Sequence, residues 1–139
     1  MLLGLFLWLN VVQTMSKFCI HFIYDFLHAV FCSPVAPGPP SLTAPAADDL
    51  VENNNVTFTC DTTGGNPTPT FAWYRNDVIV TGARQEPSDK FGTARSLLAW
   101  VLTQHDNGAE FTCEVENEAI QFPLDDTQQI SVKCTYVRT

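Results

Sequence analysis

Val56-Thr57-Phe58-Thr59-Cys60 puts an apolar side chain on every second residue, so Val56, Phe58 and Cys60 share one face while the threonines meet water. That is the pattern of a half-buried strand. Downstream, Gly64, Gly65, Asn66, Pro67 and Pro69 form a turn, and Phe71 and Trp73 begin a second strand with Trp73 facing inward. The same alternation recurs in Leu98, Trp100 and Leu102. After a turn at Asp106-Asn107-Gly108 it returns in Phe111, Cys113 and Val115. Ile130, Val132 and Cys134 are expected to supply the last strand. None of residues 48–139 shows a sustained period of 3.6, so the fold is expected to be all-β. Two facing sheets would bury Phe58, Phe71, Trp73, Leu98, Trp100, Leu102, Phe111 and Val115 together, each contributing roughly 1.5 to 3 kcal/mol before conformational entropy is set against it.

Upstream, the composition changes twice. Residues 1–32 carry only Lys17 and Asp25 as full charges, and residues 1–12 are almost wholly apolar. This segment reads as a cleaved secretory leader, although a positively charged start is missing; an uncleaved signal anchor and a spurious or variant N-terminus are the alternatives. Asn10, Gln13, Lys17, His21 and Asp25 interrupt every window of bilayer length. Residues 33–47 contain Pro34, Pro37, Pro39, Pro40 and Pro45 and are expected to be an extended linker. The folded domain is then expected over residues 48–139.

Across the 139 residues, 45% are hydrophobic and 16% charged, enough apolar material for one core and too short a chain for two well-cored domains. Seven basic against fifteen acidic side chains give a net charge of −8, which offers no electrostatic support for binding nucleic acid.

Cys60, then Trp73, then Asp106-Asn107-Gly108-Ala109-Glu110-Phe111-Thr112-Cys113 resembles the Cys, Trp and Asp-x-Gly-x-Tyr-x-Cys framework of immunoglobulin domains. The cysteine interval is similar to that of the C2 or I type. Gly64-Gly65-Asn66-Pro67 and Trp73-Tyr74-Arg75-Asn76 resemble nephrin-like cell-adhesion receptors in particular. The resemblance implies an immunoglobulin-like antiparallel β-sandwich with one inter-sheet disulfide, Cys60 to Cys113, and Trp73 packed on it. Such a bond belongs to an oxidising compartment, in agreement with a leader. Two features depart from the framework. Phe111 stands where the corner tyrosine is usual and has no hydroxyl, and the interval from Asp106 to Cys113 is one residue longer than the common form. Cys134 has no partner in the two-cysteine framework; it is expected to be a small buried hydrophobe, with an interchain bond or a partner absent from this chain as the alternatives.

No catalytic constellation is found. His21 and His28 fall in the leader and His105 stands alone in a turn, while no Cys or His spacing suggests a metal and no glycine-rich loop suggests phosphate. Asp48-Asp49 and Asp125-Asp126 could contribute carboxylates to a calcium site but lack a recognisable loop pattern, and they read rather as solvated acidic turns. No enzyme, cofactor or small-molecule substrate is expected. Asn55-Val56-Thr57 fits the N-glycosylation acceptor, and alternation turns Asn55 outward; Asn66-Pro67-Thr68 is excluded by its proline. On the outward face of the Phe111 strand, Glu110, Glu114 and Glu116 recur with period two, beside Tyr74 if the family pairing holds, and form the candidate partner face.

The resemblance therefore implies an extracellular, secreted or cell-surface module that binds another protein, a second copy included, in cell adhesion or receptor recognition. A soluble secreted binding or immune-defence protein is the alternative. Pro37-Gly38-Pro39-Pro40 looks like a junction between successive receptor domains, which suggests a fragment or short isoform of a multidomain receptor.

Overall fold

The structure, a computed structural model, describes residues 34–87 and 92–134. The expected leader over residues 1–32 lies outside the described residues. Among the described residues, nine strands form two antiparallel sheets: β1 (Val35–Pro37), β2 (Ser41–Thr43), β3 (Asn55–Asn66), β4 (Thr70–Arg75), β5 (Val78–Val80), β6 (Arg84–Glu86), β7 (Thr93–Val101), β8 (Glu110–Glu116) and β9 (Leu124–Gln129). The first sheet runs β1-β3-β7-β6, with β2 also paired to β3, and the second runs β5-β4-β8-β9. One 3-10 turn, Gln104–Asp106, links β7 to β8.

The alternation that marks β3, β7 and β8 in sequence is what fills the space between the sheets. Phe58, Leu98, Leu102, Phe111 and Val115 are all buried. Phe58 stacks on Phe111 with ring centroids 4.3 Å apart, and Trp100 meets the edge of Phe111 at 5.7 Å, an offset and a T-shaped contact of the kind aromatic quadrupoles favour. Cys60 on β3 is bonded to Cys113 on β8, with Cα atoms 6.4 Å apart, so the disulfide joins one sheet to the other. Trp73 lies directly across from Cys113 in the β4–β8 register. Its indole N–H donates to Ser96 Oγ on β7 at 3.0 Å, a buried polar tie between the sheets. The fold is the immunoglobulin-like sandwich that the cysteine and tryptophan framework implies.

Three expectations need correction. Residues 33–47 are not simply a linker: β1 and β2 pair with β3, and Leu42 is buried in the core. Proline fixes an extended φ that an edge strand accepts, so proline density does not separate linker from edge. Docking also depends on Gly38, whose N–H donates to the Thr63 carbonyl at 2.6 Å and where a Cβ would lie 2.7 Å from Thr63 Oγ1.

The last strand is the polar Leu124–Gln129 rather than Ile130, Val132 and Cys134. On β9, Asp126 and Gln128 turn toward β2, where Asp126 Oδ2 accepts from Leu42 N–H at 2.7 Å and Gln128 Nε2 donates to the Leu42 carbonyl at 2.8 Å. These side chains satisfy the backbone of a strand in the other sheet, which is why an inward-facing edge can be polar. Ile130 and Val132 are buried beyond the strand end, where Val132 N–H donates to Asn107 Oδ1 at 3.0 Å.

Cys134 is exposed and unpaired, not a buried hydrophobe.

Candidate recognition face

Because Trp73 and Cys113 point inward, their neighbours on β4 and β8 point out. The register then assembles the outer face of the second sheet in rows. Tyr74 lies opposite Ile79 on one side and Thr112 on the other, Thr112 opposite Thr127, Ala72 opposite Glu114, Glu114 opposite Asp125, and Thr70 opposite Glu116. Glu110, opposite Gln129, completes the acidic column. The structure thus brings Tyr74, Glu110, Glu114 and Glu116 onto one surface. It adds Asp125 and Ile79, which sequence reasoning missed; period two would have found Asp125 once the last strand was set at Leu124–Gln129.

The side chains on this face form local contacts. Thr112 and Thr127 share a hydroxyl hydrogen bond at 2.7 Å. A hydrogen bond with the Glu114 carboxylate pushes the Tyr74 phenol above its ordinary range, and desolvation and the charges of Glu114 and Glu116 act in the same direction. At the β5 border Ile79, beside Tyr74, is 64% exposed on this face, and Val78, opposite the inward Arg75, is 67% exposed on the other side of the strand. A cleft of about 400 Å³ opens there, lined by Arg75, Val78, Ile79, Val80, Thr81 and Trp100.

The other sheet handles charge differently. Asp61 and Arg95 are directly opposite on β3 and β7, and the guanidinium donates to both carboxylate oxygens at 2.6 and 3.1 Å. Arg84 and Glu86 pair on β6 at 3.0 Å.

Asp106, at the end of the 3-10 turn, anchors the corner before β8. Its Oδ2 accepts from Thr103 N–H at 2.7 Å and from the Thr103 hydroxyl at 2.8 Å, while Arg75 Nε donates to Oδ1 at 2.6 Å. Arg75 Nη2 also donates to the His105 carbonyl at 2.6 Å. Burial alone would raise the Asp106 carboxyl, but the hydrogen bonds from Thr103 and Arg75 outweigh it and hold the group below the ordinary carboxylate range. The Trp100 indole adds to this lowering, although its buried N–H makes no hydrogen bond of normal geometry. Phe111, which lacks the tyrosine hydroxyl, is wholly buried in the core and lies opposite Arg75 in the β4–β8 register. The signal of this corner in sequence is weak, since Arg75 and Asp106 are 31 residues apart.

Among the described residues no cluster of His, Cys, Asp and Glu could hold a metal ion. Asp48 pairs with Lys133 at 2.9 Å and Asp126 caps β2. His105 sits in the 3-10 turn. Asn55 and Thr57 are both exposed at the start of β3.

Comparisons with known proteins agree with the architecture. Residues 35–123 match the family of CD80-like C2-set immunoglobulin domains. Cell adhesion molecule 3 of Xenopus laevis is 30% identical over 73 residues, covering 50% of this chain and 18% of that protein. Human nephrin is 31% identical over 83 residues, covering 58% of this chain and 7% of nephrin. The chain thus corresponds to a small part of each relative. Among solved structures, "Crystal Structure of Rst D1-D2" superposes with a TM-score of 0.63 at 20% identity, over 72% of this chain and 51% of that one. The full ectodomain of mouse nectin-like molecule 4 gives 0.61 at 20% identity, over 73% and 35%. Both likenesses speak to fold. The disulfide across the sheets, the buried tryptophan opposite one of its cysteines and a family match over most of the sandwich together make this chain a member of the C2-set immunoglobulin domains.

Proposed function

We propose that the chain is an extracellular protein-recognition module working in cell adhesion or cell-surface receptor recognition, as one domain of a longer receptor. The observation that carries this reading is the match to cell adhesion molecule 3 and nephrin on a sandwich of their family. The recognition surface in this reading is the outer face of β5-β4-β8-β9, where Tyr74 stands between an acidic column and an apolar border. Aromatic side chains with an apolar neighbour and a polar rim are the usual makings of a binding hot spot. The chain's partner is another protein, and a second copy belongs in the test set.

A binding screen of the Fc-fused domain against cell-surface ectodomains, itself included, tests the reading. A saturable partner is the expected result, and a screen without one counts against it. Surface use is checked separately. Replacing Glu114 and Glu116 by Lys reverses two charges on an exposed face and is expected to abolish binding to the partner that the screen returns while leaving the melting temperature unchanged. Unchanged binding with unchanged folding removes this face as the contact.

Asn55 is proposed as an N-glycan site, since its side chain and the Thr57 hydroxyl are both open to solvent on the opposite sheet. Protein from a eukaryotic secretory host is expected to lose mass on treatment with an N-glycan-cleaving enzyme, and Asn55→Gln is expected to show no such loss. An unshifted Asn55 peptide sinks the assignment.

A further inference from the structure

The outer face of the second sheet carries four carboxylates, Glu110, Glu114, Glu116 and Asp125, and no Lys, Arg or His among its described outward residues. Glu114 and Asp125 are direct cross-strand partners, an arrangement that repels and weakens a sheet. Nothing in the fold requires it. The outward pair Asp61 and Arg95 on the first sheet shows the opposite choice at a comparable position, with a two-pronged ion pair. Arg75, the cation nearest in sequence on β4, points inward and is committed to Asp106 and the His105 carbonyl. The Tyr74 phenol offers Glu114 a hydrogen bond, but no cation among the described residues of this face neutralises the pair, and a local rule broken on a solvent-facing surface points to compensation from outside it.

Resting on the recognition reading above, we infer that this face takes a protein surface rich in Lys and Arg rather than a second copy of itself. A two-fold self-contact through the same face would set Glu114, Glu116 and Asp125 against their own copies, and like charges juxtaposed at an interface disfavour that pairing. A basic partner relieves the Glu114 and Asp125 repulsion on docking and offers cations to Glu110 and Glu116 at the rim. Exposed Ile79, beside Tyr74 on β5, then excludes water from one side of the contact.

The test uses an oligolysine peptide as probe, with affinity measured by surface plasmon resonance at low and at physiological ionic strength. The double variant Glu114→Gln with Asp125→Asn is compared with Asp48→Asn with Asp49→Asn, which removes the same charge from an exposed loop. The face variant is expected to bind about fivefold more weakly, the loop variant within about twofold of the unaltered protein, and the difference to shrink with salt. Because the face variant removes a repulsion, it is expected to melt no lower than the unaltered protein, so weaker binding is not a folding defect. Backbone amide shifts on titration are expected to move at Tyr74, Thr112, Glu114 and Asp125. Equal losses from the two double variants overturn the inference, as does a concentration-dependent dimer, seen in sedimentation, that the face variant abolishes. An oligolysine affinity indifferent to Glu114 and Asp125 removes the basic partner whatever the ectodomain screen returns, and an empty screen bears on the underlying recognition reading alone.

Discussion

Replacing Cys60 and Cys113 together by Ala is expected to lower the unfolding free energy by about 4 kcal/mol in the chain-entropy treatment. The bond spans 53 residues, and a crosslink over that length removes many conformations from the unfolded chain while leaving the folded one nearly unchanged. Both sulfur atoms also lie in the fully buried centre, against Trp73, Phe58 and Phe111, so truncation leaves a void between the sheets in addition to the lost constraint. Domains of this size have only about 5 to 15 kcal/mol in total. The urea midpoint of the doubly substituted protein is therefore expected to fall by about 2 M or more. Equilibrium denaturation followed by tryptophan fluorescence measures this, because Trp73 reports on the packing around the bond. A midpoint unmoved within about 0.5 M would mean that strand pairing and aromatic packing alone hold the sheets together.

The central strands were legible in the sequence because each has one face on the core and one on water. Val56, Phe58 and Cys60 on β3 and Phe111, Cys113 and Val115 on β8 carry that division as strict alternation. Edges carry no such signal. In β1 and β2 only Pro37 and Leu42 are buried, too few to show a period, and the prolines around them suit a linker and an edge strand equally well. β9 fails the alternation test for another reason, since its inward side chains Asp126 and Gln128 bond to the Leu42 backbone instead of packing in oil. The greasy alternation of Ile130 and Val132 just beyond it belongs to chain that is buried without being a strand.

The candidate face was half legible. Glu110, Glu114 and Glu116 lie on one strand and follow from period two alone, whereas Asp125 and Ile79 join them only through cross-strand register, which depends on where β9 and β5 begin. The corner was not legible at all. Asp106 reads locally as a turn former, and only the folded chain brings the Arg75 guanidinium to it and buries the carboxylate.

That corner gives the second large effect. Asp106→Ala is expected to cost about 2 to 4 kcal/mol, because it removes the acceptor for Thr103 N–H, the Thr103 hydroxyl and Arg75 Nε at once. Arg75 is left with part of its guanidinium open to water, 24% of the side chain, so its own loss is softened by hydration; the Thr103 amide has less recourse. Asp106→Asn keeps the shape and separates charge from packing. In the folded protein the Asp106 carboxyl titrates below its ordinary value of 3.8, while in the unfolded chain it returns to that value. The unfolded state therefore binds the proton first on acidification. The stability that the carboxylate contributes is whole above about pH 5 and drains away as pH falls through 3.8 toward the folded value. Asp48 is held low as well, first by its hydrogen bond to Lys133, but its side chain is 97% exposed and solvent screens what that pair contributes. Thermal melts of the unaltered protein from about pH 6 to about pH 3 should thus fall more steeply than those of Asp106→Asn, while Asp48→Asn should track the unaltered protein closely. Parallel curves for the unaltered protein and Asp106→Asn would mean that the corner is held by its hydrogen-bond geometry and not by its charge.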